Sequence, residues 1–89
     1  MIHQKLLIIN KLGLHARAAV RLVRLVSAYA SSVRIQYGNR TVDGKSIMSV
    51  MMLAAGKDSV ITVTLEGRDE RQAWNAISDL INSRFGETE

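Results

Sequence analysis

The sequence predicts an α+β fold: an open-faced β-sandwich in which a four-stranded antiparallel sheet carries three helices on one face. Three observations lead there. The segments Val33–Tyr37 and Ile61–Glu66 alternate apolar with polar residues, the pattern of strands covered on one side only. Two longer segments repeat apolar residues at helical spacing. All six glycines fall between or just after these periodic segments, and no proline interrupts them. The implied element order is β-α-β-β-α-β-α, with residues 1–89 as one domain, because a chain this short has no room for a second.

The elements follow in order. Gln4–Ile9 is a short apolar run that reads as the first strand, with Leu6 and Ile8 inward and Lys5 outward. A helix is expected from Ala16 to about Ala30, its buried stripe formed by Ala19, Leu22, Val23 and Val26 and a second, basic stripe by Arg17, Arg21 and Arg24. Val33, Ile35 and Tyr37 point inward from the second strand. Gly38-Asn39 is a hairpin turn, and Arg40–Asp43 returns as the third strand. Ser46 is the expected N-cap of a short helix from Ile47 to about Ala54. Ile61, Val63 and Leu65 face inward from the fourth strand. The last helix is expected from about Glu70 to Phe85, with Trp74, Ile77, Leu80, Ile81 and Phe85 on one side and Gly86 as its stop.

Composition excludes several kinds of function. No cysteine is present, so disulfides and thiolate metal sites are ruled out. His3 and His15 are the only histidines and lie far apart in sequence, so neither a metal nor another cofactor is expected. No run approaches the roughly 20 apolar residues that span a bilayer, and no signal-peptide pattern opens the chain, which makes a cytoplasmic protein without membrane insertion the expectation. Net charge is +4, unevenly spread: Met1–Lys45 holds eight Lys and Arg against one acid, and Ser46–Glu89 holds four against seven. Such polarity suits an oppositely charged partner or simply a solvated surface.

Two stretches carry chemical interest. In the short helix, Val50 and Leu53 are spaced to face the core together, and Ile47, Met48, Met51 and Met52 cannot all join them. Those four form either an exposed contact patch, for which methionine is well suited, or part of a helix buried nearly all round. The other stretch is GLHARAAVRLV, Gly13–Val23. His15 directly precedes the first helix, where unpaired backbone N–H groups and the positive dipole end favour phosphate groups. Arg17 lies in the first turn and adds charged donors. A neutral imidazole is a nucleophile, so the parts suit a covalent phosphohistidine. A histidine at a helix start also serves as a polar cap or an exposed surface residue, and the residues alone leave both open.

GLHARAA, Gly13–Ala19, resembles the active-site signature of the HPr family, the histidine-containing phosphocarrier proteins of the bacterial phosphotransferase system. KSIMSVMML, Lys45–Leu53, resembles that family's second signature, around a regulatory serine, and the tail INSRFGETE resembles those of proteobacterial members, including the nitrogen-related branch. The resemblance covers essentially the whole chain. It implies that His15 accepts a phosphoryl group at Nδ1 from enzyme I and passes it to an EIIA-type protein, with Arg17 stabilising the group in both steps. It further implies that Val20, Arg21, Arg24, Ile47, Met48 and Met51 form a docking surface, and that Ser46 is the target of an HPr kinase/phosphorylase. The chain would then be a carrier, consumed and regenerated, rather than an enzyme, and a monomer making transient complexes. Two departures stand out: Ala18 replaces a common proline, and Ser49 a common glycine. Alanine is an excellent helix former, so Ala18 should do little harm, whereas Ser49 bears on contact with the serine kinase. His3 reads as a surface residue of an edge strand.

A basic nucleic-acid-binding module is the alternative, invited by a pI near 10.0 and three arginines on a helix face. Aromatic residues are only 4% of the chain, and no nucleic-acid-binding signature is present, so bases would find little to stack on.

Overall fold

The computed structural model describes residues 1–89. Its strands are β1 (Ile2–Leu7), β2 (Ser32–Tyr37), β3 (Arg40–Asp43) and β4 (Val60–Glu66); its helices are α1 (Ala16–Ser27), α2 (Ile47–Met52) and α3 (Glu70–Asn82). The strands form one antiparallel sheet in the order β1-β4-β2-β3. Register aligns the apolar rows. Ile2 pairs with Leu65 and Leu65 with Val33, and one row along Val63 pairs with Ile35 and Ile35 with Val42. His3, Lys5, Arg34, Gln36 and Thr41 lie exposed on the other face. The predicted order, the antiparallel pairing and the single covered face are all present. No helix is long and apolar enough to cross a membrane.

The helices hold through packing rather than propensity. A helix of 12 residues such as α1 is marginal alone in water. Its stripe of Ala19, Leu22, Val23 and Val26 is buried as expected, joined by Ala18 in the first turn, in one core with Ile35, Val63 and Ile77. Fully burying each such Leu, Val or Ile contributes about 1.5–3 kcal/mol. That packing sets where the start of α1 points.

Element ends differ from expectation for identifiable reasons. The first strand lies two residues earlier than predicted, but Ile8 still pairs beyond its end: its N–H donates to Ser59 O (2.9 Å) and its carbonyl accepts from Asp58 (2.7 Å). Helix α1 stops at Ser27 instead of Ala30 because the Asp69 carboxylate takes the chain that follows. It accepts from the N–H groups of Ala30 (2.8 Å) and Ser31 (2.9 Å) and from the Ser31 hydroxyl. Helix α2 ends at Met52, ahead of the left-handed Ala54 (φ 53). Helix α3 ends at Asn82, and neither Gly86 nor helical continuation places Phe85. Arg84, Phe85 and Gly86 are all left-handed, with φ of 58, 57 and 77, and form a short 3-10 turn that tucks the Phe85 ring wholly into the core.

Gly13 is the tightest point. Its φ is +64, and a Cβ there would sit 2.5 Å from the Ala55 carbonyl oxygen and 2.6 Å from Gly56 Cα. Leu14 N–H donates to that same Ala55 carbonyl (2.9 Å), so the loop before α1 is pressed against the loop before β4. Backbone cannot yield as a side-chain tip would. Gly13→Ala should therefore cost at least about 2 kcal/mol in a urea unfolding titration, from left-handed strain and the steric clash together.

Asp69 makes stability pH-dependent. The Ser31 hydroxyl and the Ala30 and Ser31 amides hold its carboxyl at about 2, below the ordinary 3.8, against a smaller opposing effect of burial. A carboxyl depressed in the folded state stabilises the fold above its unfolded pKa, and that contribution is lost as pH falls toward the folded value. Thermal melts between pH 4 and pH 2 should show the midpoint falling more steeply for the wild type than for Asp69→Asn.

Candidate functional site

Helix α1 begins at the point its packing dictates, and His15 is its N-cap. The His15 backbone is extended (φ −73, ψ 179), and its ring makes no capping bond, so the imidazole is free for other partners. The first helical bond runs from Ala19 N–H to His15 O (2.8 Å). The amides of Ala16, Arg17 and Ala18 precede it and have no partner within the helix. They lie at the positive end of the helix dipole, directly after the imidazole.

His15 opens onto a recess of about 520 Å³, which is also lined by Arg17, Lys11, Glu87, Thr88 and Glu89. The Arg17 side chain is exposed and shares this recess with the ring. The His15 side chain is 25% exposed. His15, Ala16 and Arg17 at the start of α1 thus line one open hollow, and an imidazole, a guanidinium and a helix start together can receive a tetrahedral anion.

Sequence reading missed the opposite wall. His15 Nε2 is hydrogen-bonded to the Glu87 carboxylate through Oε2. The other carboxylate oxygen accepts from Asn10 Nδ2 (3.0 Å), which also donates to Gly13 O (2.8 Å). Both partners of that amide are acceptors, which settles its orientation. Asn10 is wholly buried and ties the tail to the loop before α1. Two further contacts hold the tail. The Arg21 guanidinium donates to Phe85 O, and Lys11 binds Glu89 through its backbone N–H (to Glu89 O, 2.7 Å) and its ammonium (3.1 Å). Burial pushes the Glu87 carboxyl up, but hydrogen bonds from His15 and Asn10 and the nearby positive charges outweigh it and hold it below the usual glutamate range. Only the charge asymmetry hinted at this wall, with acidic Glu87 and Glu89 closing a chain whose first half is basic.

The remaining predicted residues lie on α1 and α2, which pack against each other. Arg24 is exposed and Val20 half-buried on α1. Arg21 is exposed as expected, but its guanidinium also braces the tail. On α2, Val50 and Leu53 are buried, while Met48 (68%), Met52 (61%), Ile47 (38%) and Met51 (36%) are exposed. The helix is therefore not buried all round, and its outer side is an apolar patch. Ser46 caps α2 as expected: its Oγ accepts from Ser49 N–H (3.3 Å) and donates to Ser49 Oγ (2.9 Å). Ser49 is thus a direct partner of Ser46. His3 lies on edge strand β1, with Nδ1 hydrogen-bonded to Thr64 Oγ1 (2.8 Å), away from the recess.

The family model for the phosphorylation site of the phosphotransferase system's HPr component matches residues 2–83. The chain belongs to that family, the phosphocarriers of the phosphotransferase system. It is 49% identical to the phosphocarrier protein HPr of Cupriavidus necator, with both chains covered end to end. Against the HPr of Pseudomonas aeruginosa it is 53% identical over 83 residues, 92% of each chain. Among solved structures, HPr from Thermoanaerobacter tengcongensis superposes over the full length of both chains with a TM-score of 0.95 at 39% identity. Membership displaces the nucleic-acid-binding alternative. The family match stops before the turn and tail that carry Phe85 and Glu87.

Proposed function

We propose that this chain carries phosphoryl groups on His15, taking them at Nδ1 from enzyme I and handing them to an EIIA-type protein. The observation that carries this reading is the His15 imidazole at the N-cap of α1, sharing an open recess with Arg17 beside three amides unpaired within the helix. Each component has a role. The Nδ1 lone pair attacks phosphorus as the donor's bond to phosphorus breaks, and the bond's electrons leave with the donor atom. The amides of Ala16–Ala18 and the Arg17 guanidinium face charge on the phosphoryl oxygens and lower the barrier in both directions. Nitrogen is a good leaving group, so the phosphoryl group can be passed on as well as received.

Val20, Arg21, Arg24, Ile47, Met48 and Met51 form the docking surface in this reading, with an apolar centre on α2 and a basic flank on α1. Such a surface fits partners that are apolar at the centre and acidic at the rim. The chain works as a cytoplasmic monomer in transient complexes. Ser46 is the regulatory site for an HPr kinase/phosphorylase. A phosphate there adds roughly two negative charges beside the docking surface and weakens binding to an acidic partner.

The test is incubation with phosphoenolpyruvate and enzyme I, followed by intact-mass measurement. One acid-labile phosphoryl group should appear and map to His15, and His15→Ala should abolish it. Arg17→Ala should slow uptake by about 10²–10³, because it removes an electrostatic stabiliser without removing the nucleophile. Undiminished labelling of His15→Ala would overturn the reading.

A further inference from the structure

We propose that Glu87 is a positioning residue for His15: its carboxylate accepts a hydrogen bond from Nε2–H, which leaves the lone pair on Nδ1, and it faces the ring cation that phosphorylation creates. This rests on His15 being the phosphoryl acceptor.

Geometry supplies the argument. The Glu87 carboxylate is ionised at neutral pH and can only accept hydrogen bonds, so the hydrogen bond at Nε2 requires the proton to be on that nitrogen. A neutral imidazole with its proton on Nε2 has its free lone pair on Nδ1. The carboxylate therefore selects the attacking nitrogen without touching the phosphoryl group. An orienting acid does the same for the histidine of a hydrolase triad.

The proton balance gives Glu87 a second effect. When the Nδ1 lone pair forms the new bond to phosphorus, the donor's bond breaks and its electron pair departs with the donor. The Nε2 proton stays on the ring, which becomes a phosphorylated imidazolium. A carboxylate already bonded to Nε2 stabilises that cation and needs no reorganisation to do so. Onward transfer runs the same steps backward: the electron pair of the P–N bond returns to Nδ1, and a neutral ring remains against Glu87.

The contact is built, not incidental. Glu87 is only 15% exposed. Its second oxygen is held by buried Asn10 (3.0 Å), and it follows the buried Phe85 anchor by two residues. The left-handed run Arg84–Gly86 turns the chain back toward α1, and Arg21 and Lys11 clamp the segments on either side of Glu87. Exposed carboxylates on free tails contribute little; this one is half-buried and held at both oxygens.

The experiment uses the full chain labelled with ¹⁵N-histidine, as wild type, Glu87→Gln and Glu87→Ala, each checked for folding by circular dichroism. The wild type should show an exchange-protected, downfield Nε2 ring proton. Glu87→Gln should keep it with a smaller downfield shift, since its amide oxygen still accepts, and Glu87→Ala should lose it. Phosphoryl uptake from phosphoenolpyruvate and enzyme I should slow about tenfold in Glu87→Ala and less in Glu87→Gln. A wild-type ring protonated at Nδ1, or Glu87→Ala taking up phosphoryl groups at the wild-type rate, overturns the assignment. A wild-type chain that takes up none overturns the role of His15 itself, a failure told apart from the others because it needs no variant.

Discussion

Helix α1 cannot satisfy its own first amides, and the rest of the site is arranged around that constraint. The groups are left over by helix geometry, since no carbonyl precedes them at the right distance. The fold determines where they point, because Leu22, Val23 and Val26 dock α1 on the core and leave Ala16 and Arg17 at its start exposed. Gly13 then decides how the chain enters that turn. Its left-handed backbone lies too close to Ala55 and Gly56 for any side chain, and the loop delivers His15 in extended conformation at the N-cap. A nucleophile, a dipole end and a guanidinium come together from five consecutive residues, Gly13–Arg17.

The tail adds a wall of opposite sign. Acids beside an anion-binding site would ordinarily weaken it. Here Glu87 meets the imidazole on Nε2, the nitrogen not used for transfer in the proposed reaction, and Asn10 and Lys11 draw on the acidic groups of the tail. Phe85 makes the arrangement durable: a buried aromatic ring contributes far more than an exposed ion pair, and it lies two residues from the carboxylate. The core therefore holds both sides of the recess, through the stripe of α1 on one side and through Phe85 on the other.

Much of this was legible from the chain. Alternation in Val33–Tyr37 and Ile61–Glu66 gave the strands with their inward faces, because period 2 has no other structural use. The stripe of α1 and the surplus of apolar residues in Ile47–Met52 were equally plain, and His15 and Ser46 lie at the helix starts where they were expected. Element ends were less legible, because tertiary contacts decide them. Asp69 binds Ser31, just beyond the end of α1, from 38 residues away, and periodicity cannot reveal such a bond. Phe85 fitted the apolar side of α3 by spacing, yet reaches the core through a left-handed turn. Glu87 and Asn10 were invisible as site residues, since 77 residues separate them and no motif joins them. The apolar patch on α2 fell between these cases: composition raised it beside a helix buried nearly all round, and the exposure of Met48 and Met52 decided between the two.

The central claim is that the unpaired amides at the start of α1 receive the phosphoryl group carried by His15. Amide proton shifts of ¹⁵N-labelled protein before and after phosphorylation test it most directly. The amides of Ala16, Arg17 and Ala18 should move strongly downfield as they bond to phosphoryl oxygens, while the first amides of α3 stay in place. If the amides of α1 do not move while His15 carries a phosphoryl group, the helix start plays no part in holding it, and the account is wrong.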